Sequence, residues 1–241
     1  MFLKLFFTYL NAMNAMENMI KHLENLKEIA DKAKKNAAVF FKPETHFKEA
    51  RLMVGGREHI LVDVRAVIEF YKEALDLFGS SIAKDFLYRL GEKLGVSEAK
   101  AVFKAFKLED PVMQCWERCL HAPYSLMTLG LAKIDILLFD AEMKEGFIML
   151  CETRNSVFVD VVKDRKMSSS VCSLLAGYLN GWYKVATERK NLVTREIMCR
   201  AVGDEVCRFV IGKPKKMLEL VKREDLKRPS SDYPVIEFCW E

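Results

Sequence analysis

The sequence predicts an α+β fold of antiparallel hairpins packed with helices, with an extra helix at the N-terminus. Three observations carry this. Apolar residues recur at three- and four-residue steps through most of the first 40 positions. Helical patterns then occupy most of the stretch from about 66 to 129, and two strand-turn-strand patterns follow with a helix between them. Helices and antiparallel hairpins segregated in this way define an α+β domain. No glycine-rich turn has the spacing of a dinucleotide or phosphate loop.

Taken in order, residues 11–38 read as one long helix. Met13, Met16, Met19, Ile20, Leu23, Leu26 and Ile29 fall on a single stripe, which must pack on the body of the protein or on a second copy. Pro43 breaks the pattern and Gly55-Gly56 makes a turn. In "REHILVDVR", residues 57–65, Ile60, Val62 and Val64 alternate with Leu61, Asp63 and Arg65, a strand signal. Helices are expected at about 66–79, at 80–94 and from Ser97, with Gly79-Ser80-Ser81 as hinge and cap, and another at 111–129. Runs 133–140 and 146–153, separated by Lys144-Glu145-Gly146, make the first late hairpin. A helix from about Ser170 to Arg189 follows, with serines 168–170 as capping hydroxyls. Gly177 and Gly181 lie one turn apart on it. Each costs roughly 1 kcal/mol against alanine, so both point to a close backbone approach by a neighbour. The last hairpin has strands near 192–201 and 206–211 around Gly203-Asp204-Glu205, before an exposed helical tail.

Composition sets the outer limits. A chain of 241 residues, 51% hydrophobic and 30% charged, can build a full core without disulfides. A net charge of +4, spread along the chain, is too diffuse for nucleic acid to be the direct ligand. Seven scattered cysteines, an odd number, suit a reducing interior. The opening "MFLKLFFTYL" is interrupted by Lys4 and shows no cleavage site, and no stretch reaches the ~18 apolar residues of a membrane span. A cytoplasmic protein is expected.

Four positions carry the chemistry: Cys172 near the start of the late helix, then Glu196, Cys199 and Cys207 around the last hairpin. A helix N-terminus favours thiolate, the zinc-binding form, and three thiolates with a carboxylate would close a tetrahedral shell. Strand geometry opposes this. Residues three apart in a strand face opposite ways, roughly 10 Å from each other, so Glu196 and Cys199 could share an ion only across a bulge. Spacing alone favours four unconnected core side chains. Cys115 and Cys119, one helical turn apart, have no second pair near them and read as packing.

The run from Cys172 through "AGYLNGWY" to "EIMCRAVGDEVCRFVIG" resembles the C-terminal signature of the 4-vinyl-reductase domain family. Gly177, Gly181, Trp182, Ala201, Gly203, Asp204 and Phe209 fall into that signature beside the four candidate ligands, and "RNSVF" at 154–158 sits where the family carries a similar step. The resemblance implies a fold similar to the TRAPP vesicle-tethering subunits. It divides the chain into a helical extension at 1–55, the domain at 56–212 and a helical tail at 213–241. It also implies a structural zinc ion on Cys172, Glu196, Cys199 and Cys207, a homodimer, and a sensory or regulatory domain for a small hydrophobic molecule. An assembly module like the tethering subunits is the alternative. A tetrapyrrole vinyl reductase ranks last, because the sequence holds no nicotinamide or flavin fingerprint and a closed zinc shell supplies no redox chemistry.

Overall fold

A computed structural model of the chain describes residues 24–46, 51–140, 148–162 and 170–222, with the single positions 49, 167 and 227. Helix α1 occupies 24–40. Strands β1 (Pro43–His46), β2 (Arg51–Val54) and β3 (Arg57–His59) form a small antiparallel sheet in the order β1-β2-β3, with Gly55 and Gly56 in left-handed conformation at its turn. Helix α2 (Val64–Ala105) and α3 (Cys115–Thr128) follow. The main sheet contains β4 (Ala132–Asp140), β5 (Ile148–Ser156), β6 (Val193–Met198) and β7 (Cys207–Gly212), all antiparallel in the order β4-β5-β7-β6. The short α4 (Val157–Asp160) and α5 (Ser173–Ala186) lie between β5 and β6 in the chain, and α6 (Pro214–Leu220) follows β7. The architecture is the expected mixture of helices and antiparallel sheets.

Local departures from the sequence pattern have local causes. Alternation predicts a strand through residue 65, but β3 stops at His59 and Ile60, Leu61 and Val62 are exposed. Asp63 takes over: its carboxylate accepts the Arg65 backbone N–H at 2.8 Å and starts α2. The three helices expected between 66 and 105 form one element with a break at Gly79, whose φ of 77° and ψ of 163° lie outside the helical region. Of the long first stripe, positions 13–23 lie outside the described residues, as does the turn at 144–146. Leu26 is buried, and Ala30, Ala33 and Ala37 of α1 join the main core.

The centre of the molecule is the contact between α2 and α5. Gly91 and Gly95 of α2 lie directly on the α5 backbone, and Gly177 and Gly181 of α5 lie on that of α2. A methyl group at any of the four would overlap a main-chain carbonyl of the other helix: Leu174, Tyr178, Tyr88 and Glu92 respectively. Around this seam Tyr178 stacks on Trp182 with ring centroids 5.9 Å apart, and Phe103 meets Trp182 edge-on at 5.7 Å. The Trp182 indole N–H donates to the Arg118 carbonyl at 2.9 Å, tying α5 to α3. The Tyr178 hydroxyl donates to Glu98 at 2.5 Å in the same interior. On the far side of the sheet, Met217 of α6 covers Leu137, Leu150 and Val210.

Gly181→Ala tests the seam. Alanine is the better helix former by about 1 kcal/mol, yet a methyl against backbone cannot be absorbed by a rotamer change and costs about 2–3 kcal/mol net. Melting should fall by roughly 5–10 °C. An unchanged or raised midpoint in differential scanning calorimetry would show that the helices are not in backbone contact.

Candidate metal centre

The site is assembled by the last helix and the last hairpin. Cys172 is the N-cap of α5, just before the first turn in which the sequence pattern places it. β6 carries Glu196, and Cys199 follows its end in extended conformation (φ −144°, ψ 123°). A single 3₁₀ turn, Arg200–Val202, reverses the chain, Gly203 takes a φ of 115°, and Cys207 opens β7. The pairing of β6 with β7 shifts between Glu196 and Met198, so one extra residue bulges out of the strand. That bulge removes the geometric objection to Glu196 and Cys199 sharing a centre.

The four side chains meet. One ligand atom from each of Cys172, Glu196, Cys199 and Cys207 lies within 4.8 Å of all the others, and the Cys172 and Cys207 sulfurs are 3.6 Å apart. Thiolates in a tetrahedral zinc shell, at ~2.3 Å from the ion, sit about 3.8 Å from each other. The donor set therefore has the chemistry and the spacing to hold such an ion.

The surroundings are those of negatively charged sulfur. The Arg200 backbone N–H donates to Cys207 Sγ at 3.4 Å, and the Val171 backbone donates to Cys199. The Asp204 carboxylate accepts the Cys199 backbone N–H at 2.6 Å and fixes the turn. Ser170 donates its hydroxyl to Glu196 Oε2, and its carbonyl accepts the Tyr71 hydroxyl at 2.8 Å. Glu196 Oε1 is buried with no hydrogen-bond partner among the described residues. Hydrogen bonds from Cys172 and then Cys207 pull the Cys199 thiol far below its usual range. Its hydrogen bond to Cys199 pushes Cys172 up, and burial, followed by the charge on Cys199, pushes Glu196 up. Burial and mutual contact oppose the ionisation of these acids together, and a divalent cation is what would allow them to ionise.

Sequence reasoning missed Ser170 and Tyr71. Serines 168–170 read as helix caps, but the Ser170 hydroxyl faces Glu196. The only sequence signal for that use is its position two residues before a candidate ligand. A groove of about 860 Å³ between α2, α5 and β6 is lined by Ser170, Glu196 and Cys199 together with the charged Lys84, Glu92 and Arg195.

Two other features lie on α3. Cys119 donates to Cys115, which lowers the Cys115 thiol to about 7, while burial raises Cys119. Among the described residues no further ligand joins this pair. His121 is fully buried; its Nδ1 donates to the Glu117 carbonyl at 2.7 Å, leaving Nε2 to accept from Asn36 at 3.3 Å. Burial lowers its pKa, so the ring is neutral near pH 7. The Ser125 and Ser156 hydroxyls are buried without hydrogen-bond partners among the described residues. No helix of the described residues is long and apolar enough to cross a membrane.

Comparisons with known proteins follow the fold. No family model matches the chain. The chain is similar to the transcriptional regulatory protein XylR of Pseudomonas putida, 29% identical over 168 residues, covering 68% of this chain and 29% of the regulator, so it spans under a third of that protein. Among solved structures it is similar to the phenol-responsive sensory domain of the transcription activator PoxR, determined with phenol. The TM-score is 0.67 at 23% identity, over 83% of this chain and 97% of that one. The fold of this chain is therefore that of a sensory domain known from a transcription activator.

Cys115 is buried, so its low thiol pKa should be read spectroscopically and not by labelling. The difference in thiolate absorbance at about 240 nm between wild type and Cys115→Ser should titrate near pH 7, against about 8.5 for an ordinary thiol. A midpoint at the ordinary value would show that Cys119 does not donate to it.

Proposed function

We propose that this chain is a ligand-sensing domain of a regulator, takes a small aromatic molecule, and holds a structural zinc ion on Cys172, Glu196, Cys199 and Cys207. The near-complete coverage of the phenol-responsive domain carries the sensory part, and the similarity to XylR supports it. The clustering of four donor atoms supports the metal. A homodimer belongs to the same reading.

The residues would divide the work. Zinc, when bound, joins the start of α5 to the last hairpin, so the chain end of the sheet cannot separate from the helix. Cys172, Cys199 and Cys207 supply the soft donors, and Ser170 orients the carboxylate of Glu196. The aromatic molecule belongs in the apolar interior between the sheet and helices α3 and α5. The buried Ser125 hydroxyl, without a hydrogen-bond partner among the described residues, offers the polar contact that a phenolic hydroxyl needs. The charged, open groove beside β6 is a poorer match to such a ligand.

Two experiments separate the two halves. Protein purified without a metal-affinity tag should carry about one zinc per chain by elemental mass spectrometry, and Cys172→Ser should lose it and melt lower. Ser170→Ala should keep the four ligands but bind zinc about 10–100-fold more weakly. Metal-free wild type from reducing buffer would end the zinc assignment. Titration calorimetry with phenol, using cyclohexanol as the non-aromatic control, tests the ligand. Binding of phenol that weakens in Ser125→Ala is the expected result. No heat with phenol or with substituted phenols would remove the aromatic class.

A further inference from the structure

The fold leaves a large apolar surface on α2, on the side away from α5. Phe70, Leu77 and Phe78 precede the break at Gly79 and share one helical face at i, i+7 and i+8. After the break, Ile82, Phe86, Leu90 and Leu94 form a row of four-residue steps. All seven are between 42% and 75% exposed. The two segments form one patch, because the rings of Phe70 and Phe86 lie 6.3 Å apart across the break.

We propose that this patch is the contact between two copies of the chain, packed about a two-fold axis near Phe86. Area is the first argument. With roughly 200 Å² for each fully exposed large side chain, the seven present on the order of 700 Å² of apolar surface. The largest apolar patch of an ordinary monomer is about 300–600 Å². A standard protein interface buries about 800 Å² on each partner. Symmetry is the second. A two-fold contact needs a surface that complements itself, and in the row after the break Phe86 has Ile82 one turn before it and Leu90 one turn after. Crossed on the axis, Ile82 meets the partner's Leu90, as four-step ridges pack into each other's grooves.

Charge is the third argument. Asp85 and Arg89 border Phe86 and form an exposed ion pair at 2.7 Å. Both signs beside the axis let each acid face the partner's base. Lys72 and Glu69, paired at 2.6 Å, put both signs at the other end of the patch as well. A surface that lies on anionic lipid is instead rimmed by Lys and Arg. The proposal rests on the dimeric state in the functional reading above and on neither the zinc nor the aromatic ligand.

The test is the mass of the full-length protein by light scattering after gel filtration, for wild type and for Phe86→Glu. Wild type should weigh twice the 27.8 kDa of one chain, and the variant should weigh 27.8 kDa with an unchanged circular dichroism spectrum. Because Phe86 is exposed, the variant should fold. Phe86→Cys provides a second reading: two thiols at a two-fold axis should join under mild oxidant and run as a linked dimer on a non-reducing gel. A wild-type dimer that survives Phe86→Glu and is not linked in Phe86→Cys overturns the surface and leaves the dimer standing. A monomeric wild type overturns both. In a monomer, binding to anionic vesicles would assign the patch to lipid, and resistance of the Phe86→Cys variant to maleimide would assign it to the chain's own residues 1–23.

Discussion

The backbone contact between α2 and α5 is the constraint on which the other features depend. Four glycines in two helices cost on the order of 4 kcal/mol in helix propensity, and only close packing over a long seam can offset that. Once the helices touch, their directions are fixed to within what two backbones allow. The α5 end then lands where Cys172 can reach the hairpin. Tyr88, whose carbonyl lies in the seam against Gly177, is brought to the edge of the sheet, where its hydroxyl accepts the Thr194 N–H at 3.2 Å. Trp182 is placed over Phe103 and under α3. The same seam uses only one side of α2, which is why the opposite side carries so much uncovered apolar surface.

The four-residue cluster is a second constraint, and it conflicts with ordinary core physics. Cys172 and Cys207 are fully buried and Cys199 nearly so, yet they are hydrogen-bonded mainly to one another and to a carboxylate. Buried acids in mutual contact oppose one another's ionisation. Backbone N–H groups aimed at two of the sulfurs add to stability chiefly when those sulfurs are anionic. A bulge, a 3₁₀ turn and a left-handed glycine are spent within eight residues of hairpin to achieve this convergence. Such local irregularity is more than a plain hairpin of the same length would need.

The amino-acid pattern made some of this legible and hid the rest for specific reasons. Gly177 and Gly181 announced a close approach because glycine in a helix has few other uses. The partner glycines 91 and 95 did not, because they resemble a break between helices until α5 is set beside them. The late hairpins were readable from turn residues and branched side chains. The strand expected through residue 65 was not, because Asp63 as a cap outweighs an alternating pattern of only nine residues. The candidate ligands could be named from their spacing in a known signature, but their convergence depends on an extra residue at 197, which no periodicity reveals. The role of Ser170 depends on a side-chain direction, and serine before a helix gives the same signal whether it caps or reaches across.

A chain of contacts links the two proposed surfaces. Phe70 and Tyr71 are neighbours on α2: the first is exposed in the apolar patch, and the second is fully buried with its hydroxyl on the Ser170 carbonyl. Ser170 in turn holds Glu196. Any movement of the segment before Gly79 therefore reaches the patch and the Cys/Glu cluster together. A ligand can bias such a movement only to the extent that it binds one arrangement more tightly than the other. A molecule seated between α3, α5 and the sheet would press on α5, whose glycine seam leaves it no freedom to shift alone. The displacement must then pass to α2, where the one non-helical residue, Gly79, separates the segment that carries Phe70 and Tyr71 from the segment fixed to α5. The break in α2 is thus the place where ligand occupancy could be converted into a change at the exposed apolar patch.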